Sequence, residues 1–399
     1  MKPLRPKLPG ILNPAPRLKA QLLKLLTLGL VGLGLMASAP PAAGGEGGPA
    51  TAPERPWRVI YLEGGPYRDY HLIFRGLLQG LADLNLVEEP PPYEGETEDS
   101  APLWRALAAR PGPRLEFLAD GFYSAGWNQE SLAAAKREIL NRLERGEADL
   151  VLAFGTAAGA ALVDAVNRTP LLIISTTDPV GAGLSRSLED SGRDNVHVQV
   201  VSGVVEYQLV MFHNIFGFAT LGVPYDVTPE GRAAMGLATA EKIAAEKGFT
   251  IVPCRTELEI ADQEKSYRNL KTCLDRLVET SEAIYLPVNN GLQHERMASL
   301  LEPVIARQRP SFSQLGPEET RLGVLLSMGE TDFLNSGRFE AEVILAILGG
   351  AQPRSINQVY LPPLTMALNL KMAQLIGWRP PFEVLAAVDE LYNQVAGRD

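Results

Sequence analysis

The chain has 399 residues, a formal net charge of −10, 46% hydrophobic and 21% charged side chains, an ordinary globular composition with enough length for two or three domains' worth of core. Residues 1–45 carry six basic side chains and no acidic one, so the remainder stands at −16, a poor match to nucleic acid or to anionic lipid. Two cysteines exclude a disulfide scaffold, and their spacing is no zinc motif.

The basic start leads into an apolar run ending at Met36 and then into Ala37-Ser38-Ala39. The run is too short to span a bilayer comfortably, so residues 1–43 read as an export signal. Pro40 hinders cleavage directly after Ala39 and makes Ala43 a second site, and an uncleaved signal anchor is the other outcome. No cysteine follows the run, which excludes a lipoprotein anchor. Residues 44–56, rich in Gly, Pro and Ala, read as a flexible leader.

A first strand is expected at Arg58–Leu62, then a glycine-rich turn through Tyr67 and Arg68, with Asp69 as the N-cap of a helix from Tyr70 to Leu84. Gly64-Gly65 is no phosphate loop, because no Lys-Ser/Thr follows. Residues 88–100 are acidic and Pro-rich and read as a surface loop, with a short helix at 102–110. Leu115–Leu118 is the second strand. Phe122 to Trp127 follows its end, either as the wall of a pocket or as packing. Gln129–Arg145 is an amphipathic helix.

Residues 149–183 hold the centre of the sequence. Leu150–Phe154 is an unbroken apolar run, as in a strand buried on both faces of a parallel sheet. Gly155-Thr156 opens a helix over Ala157–Val166, Thr169-Pro170 stops it, and Leu171–Ile174 is the next strand, ending in Ser175-Thr176-Thr177-Asp178-Pro179. This is one βαβ unit. Ligands in open α/β sheets sit outside the carboxyl ends of the strands. Thr156, Ala157, Thr177 and Asp178 are therefore candidate ligand contacts, with an N-cap role for Thr156 and a turn role for Asp178 as the alternatives.

FGTAAGAALVDA followed by TPLLIISTTDPVGAGL resembles the signature of the periplasmic substrate-binding proteins of ABC transporters, tryptophan/tyrosine type. The ungapped DPVGAGL of Asp178–Leu184 is its most specific part. The likeness extends more loosely from about Trp57 to about Trp378. It implies a type I periplasmic-binding-protein fold, an α/β architecture of two Rossmann-like lobes with parallel sheets joined by three crossover segments. It also implies a small-molecule ligand and an ABC permease as partner.

The strand–helix pattern restarts after a crossover expected at Asn195–Gly203. Strands are expected at 220–223, 250–253, 283–286 and 311–314, and helices at 205–215, 231–247, 262–279 and 291–308. The strand ends supply Tyr225, Asn289, Asn290 and Gln314 as further candidate contacts, beside Tyr67 and Trp127 from the first half. Where the family carries Pro-Thr-Asp-Asn this chain has Pro287-Val288-Asn289-Asn290. Asn289 thus either reads a ligand group differently or completes a turn. Residues 323–329 read as a return crossing and 359–361 as the last one. The expected lobes are 57–202 plus 326–352, and 203–325 plus 353–399.

No nucleophile, metal or phosphate-loop motif is present, and none of the four histidines stands at metal-ligand spacing. No catalytic residue, metal or cofactor is therefore expected. The sequence reads as an exported, monomeric solute-binding protein of the periplasm that captures an amino-acid-like or organic-acid ligand. Its carboxylate would meet Thr156 and the neighbouring N–H groups. Any membrane contact runs through the permease or an uncleaved anchor. A sensor subunit of the same fold is the first rival and an enzyme the second. Cys254 and Cys273 are either a bridge in an oxidising compartment or two buried thiols.

Overall fold

The computed structural model describes residues 55–89, 99–201 and 203–395. The expected export signal, most of the leader and much of the Pro-rich loop lie outside the described residues. In chain order the first lobe holds β1 (Trp57–Glu63), α1 (Arg68–Asp83), α2 (Ala101–Ala108), β2 (Leu115–Ser124), α3 (Gln129–Glu144), β3 (Leu150–Phe154), α4 (Thr156–Leu162), β4 (Leu171–Ile174) and β5 (Val196–Val198). After β6 (Val200–Val201) come α5 (Val204–Phe216), β7 (Thr220–Asp226), α6 (Pro229–Ala234), α7 (Leu237–Lys247), β8 (Thr250–Thr256), α8 (Gln263–Thr280), β9 (Ala283–Leu286), α9 (Met297–Ala306), β10 (Ser311–Ser313), α10 (Pro317–Leu322) and β11 (Leu326–Glu330). The chain closes with α11 (Phe333–Leu348), β12 (Val359–Tyr360), β13 (Leu364–Asn369), α12 (Leu370–Leu375), α13 (Phe382–Ala387) and β14 (Glu390–Tyr392).

Two main sheets result. The first has the order β2-β1-β3-β4-β5, all parallel. The second has the order β14-β13-β11-β10-β9-β7-β8, parallel except for the β11–β13 pair. The two-lobed α/β architecture implied by the resemblance is the one present. Alternation along the first-sheet strands explains the unbroken apolar runs. Leu150, Leu152 and Phe154 enter one core with α1 and α11, while Val151 and Ala153 enter another with α3 and α4. A strand covered on both faces needs no polar side.

Several elements differ from the sequence reading. Residues 196–198, expected inside a crossover, form the fifth strand of the first sheet and pair with β4. β2 continues past Leu118 through a register shift, so Phe122 pairs with Tyr61 inside the sheet and stacks on its ring at 4.8 Å. The helix expected over 231–247 is two helices, parted at Gly236 with φ of 64°, a left-handed conformation that glycine takes at no steric cost. β11, expected as a return crossing, is a central strand of the second sheet. The chain therefore re-enters the first lobe at Thr331-Asp332 rather than at 326. It leaves again after β12 rather than at 353, since β12 pairs with β6 beside the first lobe.

Cys254 of β8 and Cys273 of α8 are bonded to each other, with Cα atoms 5.6 Å apart. Of the two outcomes left open by the sequence, the bridge is the one present.

Candidate functional site

Both sheets point the C-terminal ends of their strands at one cleft. Turns after β1, β2, β3 and β4 supply one wall, and turns after β8, β9 and β10 together with the end of β11 supply the other. A cavity of about 410 Å³ lies between them.

The first-lobe wall is aromatic. Tyr67 and Tyr70 meet edge to face at 5.2 Å, and Trp127 lines the same cavity. Trp127 sits at φ of 58°, its backbone N–H donates to the Gly64 carbonyl at 2.7 Å, and its indole lies flat on Gly64-Gly65. A Cβ at Gly65 would fall 2.6 Å from that ring. The paired glycines therefore form a shelf for an indole. Gly155 is fixed by two constraints. Its φ is 85°, and a Cβ there would fall 1.9 Å from the Tyr70 hydroxyl.

Thr156 is 6% exposed and lines the cavity as the first residue of α4; Gly155, not Thr156, occupies the cap position. Its neighbour Ala157 lines a small recess of about 50 Å³ that opens beside Trp127 and Glu259. Thr177 and Asp178 line the main cavity. One carboxylate oxygen of Asp178 accepts the Gly181 N–H at 2.8 Å, so the turn role is real and leaves the other oxygen over.

On the second lobe the sequence candidates separate. Asn290 lines the cavity, and its buried amide nitrogen has no partner. Asn289 is 4% exposed and uses its amide on its own turn, donating to the Pro287 carbonyl at 2.7 Å and accepting from the Gly291 N–H at 2.9 Å. It lines a neighbouring depression of about 510 Å³ rather than the main cavity. Gln314 lines the main cavity and ties loops together, accepting from the Val288 N–H and donating to the Ala234 carbonyl. Tyr225 lies in a separate outer depression that meets the cleft only at Asp178.

The sequence reading passed over Glu259 and Glu330, which line the cavity with Ser336 and Gln199. Asp226, 1% exposed at the end of β7, accepts N–H groups of Leu258 and Glu259 at 2.7 and 2.9 Å and so fixes the Glu259 loop. Desolvation, with Asp226 nearby, pushes the Glu259 carboxyl up to about 8. Desolvation, with Asp69 and Asp332 nearby, does the same to Glu330. Behind the wall, burial raises Glu63 to about 7 although Tyr61 donates to it at 2.6 Å. Among the described residues no His, Cys, Asp and Glu grouping could hold a metal, and no helix is long and apolar enough to cross a membrane.

These carboxyls give stability a definite pH sign. A group whose acid form is favoured in the folded state makes that state bind the extra proton, so stability falls as pH rises toward the folded value. His71 and His197, both lowered to about 4 by burial, and His213, lowered by burial and Lys247, act in the opposite direction, chiefly below the ordinary value of 6.5. Above it the carboxyls dominate, and His294, raised by Glu319, adds to the same trend. The melting temperature is expected to fall as pH is raised from 6.5 to 8, and less steeply in Glu63→Gln. A flat or rising profile over that interval in scanning calorimetry rejects the assignment.

A family model described as ABC transporter substrate binding protein matches residues 120–391. No curated protein matches the chain. Among solved structures, a conserved domain protein from Vibrio cholerae O1 biovar El Tor is similar at 22% identity and a TM-score of 0.63, with 84% of this chain and 100% of that chain covered. An ABC domain from Streptococcus pneumonia in complex with L-Trp follows at 18% identity and a TM-score of 0.61, over 84% of this chain and 99% of that one. A ligand-free, open substrate-binding protein with adhesive properties from Clostridium difficile gives 16% identity and 0.54, over 85% and 100%. At such identities these likenesses establish the fold.

Proposed function

The chain belongs to the ABC transporter substrate-binding protein family, and on that premise we propose that it captures a small amino-acid-like or organic-acid ligand between its lobes and delivers it to an ABC permease. The protein acts as an exported, periplasmic monomer, retaining its ligand without turning it over. The observation that carries this reading is the cavity of about 410 Å³ whose walls offer buried donors with nothing to bind, the Trp127 Nε1 and the Asn290 Nδ2. A buried polar group left unpaired costs about 1–3 kcal/mol, which a ligand acceptor would recover. The L-Trp held by the Streptococcus neighbour makes aromatic amino acids reasonable first probes.

The test is mass spectrometry of small molecules that co-purify with the gently isolated protein, before and after exhaustive dialysis. A molecule held at cleft stoichiometry and released unchanged on denaturation supports the reading; conversion of the molecule on incubation overturns it. Thr156 offers a finer check, because Thr156→Val keeps the shape and removes only the hydroxyl. If that hydroxyl bonds the ligand, affinity for the retained molecule drops by about 1 kcal/mol, near fivefold. Unchanged affinity at unchanged melting temperature leaves Thr156 as a packing residue.

A further inference from the structure

The charge lining the cavity is one-sided. Asp69, Asp178, Glu206, Glu259 and Glu330 line it against the single cation Lys242 among the described residues. Lys242 is exposed and has Glu246 one turn along its own helix at 4.0 Å. The Glu330 Oε1 is buried without a hydrogen-bond partner. Glu259 reaches both the main cavity and the recess beside Trp127, Tyr70 and Thr156. Sharing that recess with Tyr70 and Trp127, this second-lobe carboxyl faces the aromatic wall of the first. An independent sign of a ligand lies on α11. Ser336 is 1% exposed and lines the same cavity, and its buried hydroxyl has no partner.

We propose that the molecule held in this cleft is a cation, a protonated amine on an apolar or aromatic frame, with its ammonium on Glu259 and its frame against Tyr70 and Trp127. This rests on the solute-binding reading above but departs from its ligand class, since the favoured molecule carries the ammonium of an amino acid without the carboxylate. An ammonium beside an aromatic face and a desolvated carboxylate gains from the ring quadrupole and from a charge-assisted bond. An anion of the same size would find no cation on these walls, among the described residues, except the exposed Lys242. Burial holds Glu259 and Glu330 toward their neutral forms in the empty cavity, and a bound cation would favour ionisation of Glu259 in its place.

The test uses matched probes that differ only in charge, titrated into the dialysed protein at pH 7.5 by calorimetry. One series is tryptamine, L-tryptophan and indole-3-propionate; the other is phenethylamine, L-phenylalanine and 3-phenylpropionate. The amine of a series is expected to bind about tenfold or more tighter than its acid. Glu259→Gln should abolish that preference by weakening the amine about tenfold while leaving the acid equal or improved. The amide closely mimics the neutral carboxyl, and thermal unfolding of the variant without probe confirms that it folds. The charge order in the wild-type protein is decisive even without the variant. An acid or zwitterion that binds as well as the amine overturns the proposal, as does silence from every amine. In either case the solute-binding reading stands or falls separately on the co-purification result.

Discussion

Gly337→Ala is expected to destabilise the first lobe by roughly 3 kcal/mol or more, and Gly337→Val to prevent its folding. α11 returns to the first lobe after the second crossing and lies against α1 at backbone distance. A Cβ at Gly337 would fall 2.0 Å from the Ile73 carbonyl oxygen and 2.2 Å from the Leu77 nitrogen. Across the same seam a Cβ at Gly76 would fall 2.1 Å from the Leu334 carbonyl oxygen. These obstacles are main chain, so no side chain can swing aside; the helices must separate. Separation would loosen the core in which Phe74, Leu77 and Ile344 meet. Urea unfolding followed by circular dichroism measures the loss. A change under about 1 kcal/mol in Gly337→Ala would mean that the two helices move apart at little cost, against the packing described.

Reduction of the Cys254–Cys273 bridge is expected to cost about 3 kcal/mol, from the chain entropy of opening a loop whose ends are 19 positions apart. The bridge fastens β8, the edge strand of the second sheet, to α8. No residue of β8 is fully buried, with Thr250, Pro253 and Arg255 exposed and the other four half-buried, so little apolar burial holds the strand otherwise. Paired melts with and without reductant, repeated on Cys254→Ser/Cys273→Ser, should show the same drop. Coincident melts would assign the bridge no role in stability. An oxidising compartment, which the proposed export would reach, keeps such a bond formed.

What the sequence made legible was whatever a local pattern encodes. β3 and β9 stood out because both faces are covered, which leaves no polar position in Leu150–Phe154 or Ala283–Leu286. The strand-end turns stood out because hydroxyls, amides and glycines gather there, and Thr156, Thr177, Asp178 and Asn290 do reach the cavity. Elements too short for a period were misjudged. β5 has three residues and β11 five, and both read as crossings until their neighbours were known. Asn289 and Asn290 are adjacent and chemically identical; only the turn geometry decides which amide serves the turn and which is left over. Glu259 and Glu330 carried no signal, since an acidic residue after a strand is ordinarily solvated. Their place in the cleft depends on neighbours distant in the sequence, Asp226 and Asn290 for Glu259 and Asp69 and Tyr360 for Glu330, which no local pattern contains. The glycines at 64 and 65 were visible, but the indole that explains them lies on another strand end.

The short ribbon of β6 and β12 has a mechanical consequence. Val200 and Val201 lie beside Val359 and Tyr360, so two of the three connections between the lobes are hydrogen-bonded to each other, while the third, at Thr331-Asp332, follows Glu330, to which the Tyr360 hydroxyl of the ribbon is hydrogen-bonded. Two coupled connections behave as a leaf spring: they can bend together, but neither can slide past the other without breaking the ribbon. With the third connection tied to that leaf through Glu330 and Tyr360, sliding of one connection past another is resisted, and bending along the ribbon is the motion left. A ligand that draws the walls together would therefore load this one axis, and the faces that any membrane partner meets would change their tilt as a pair.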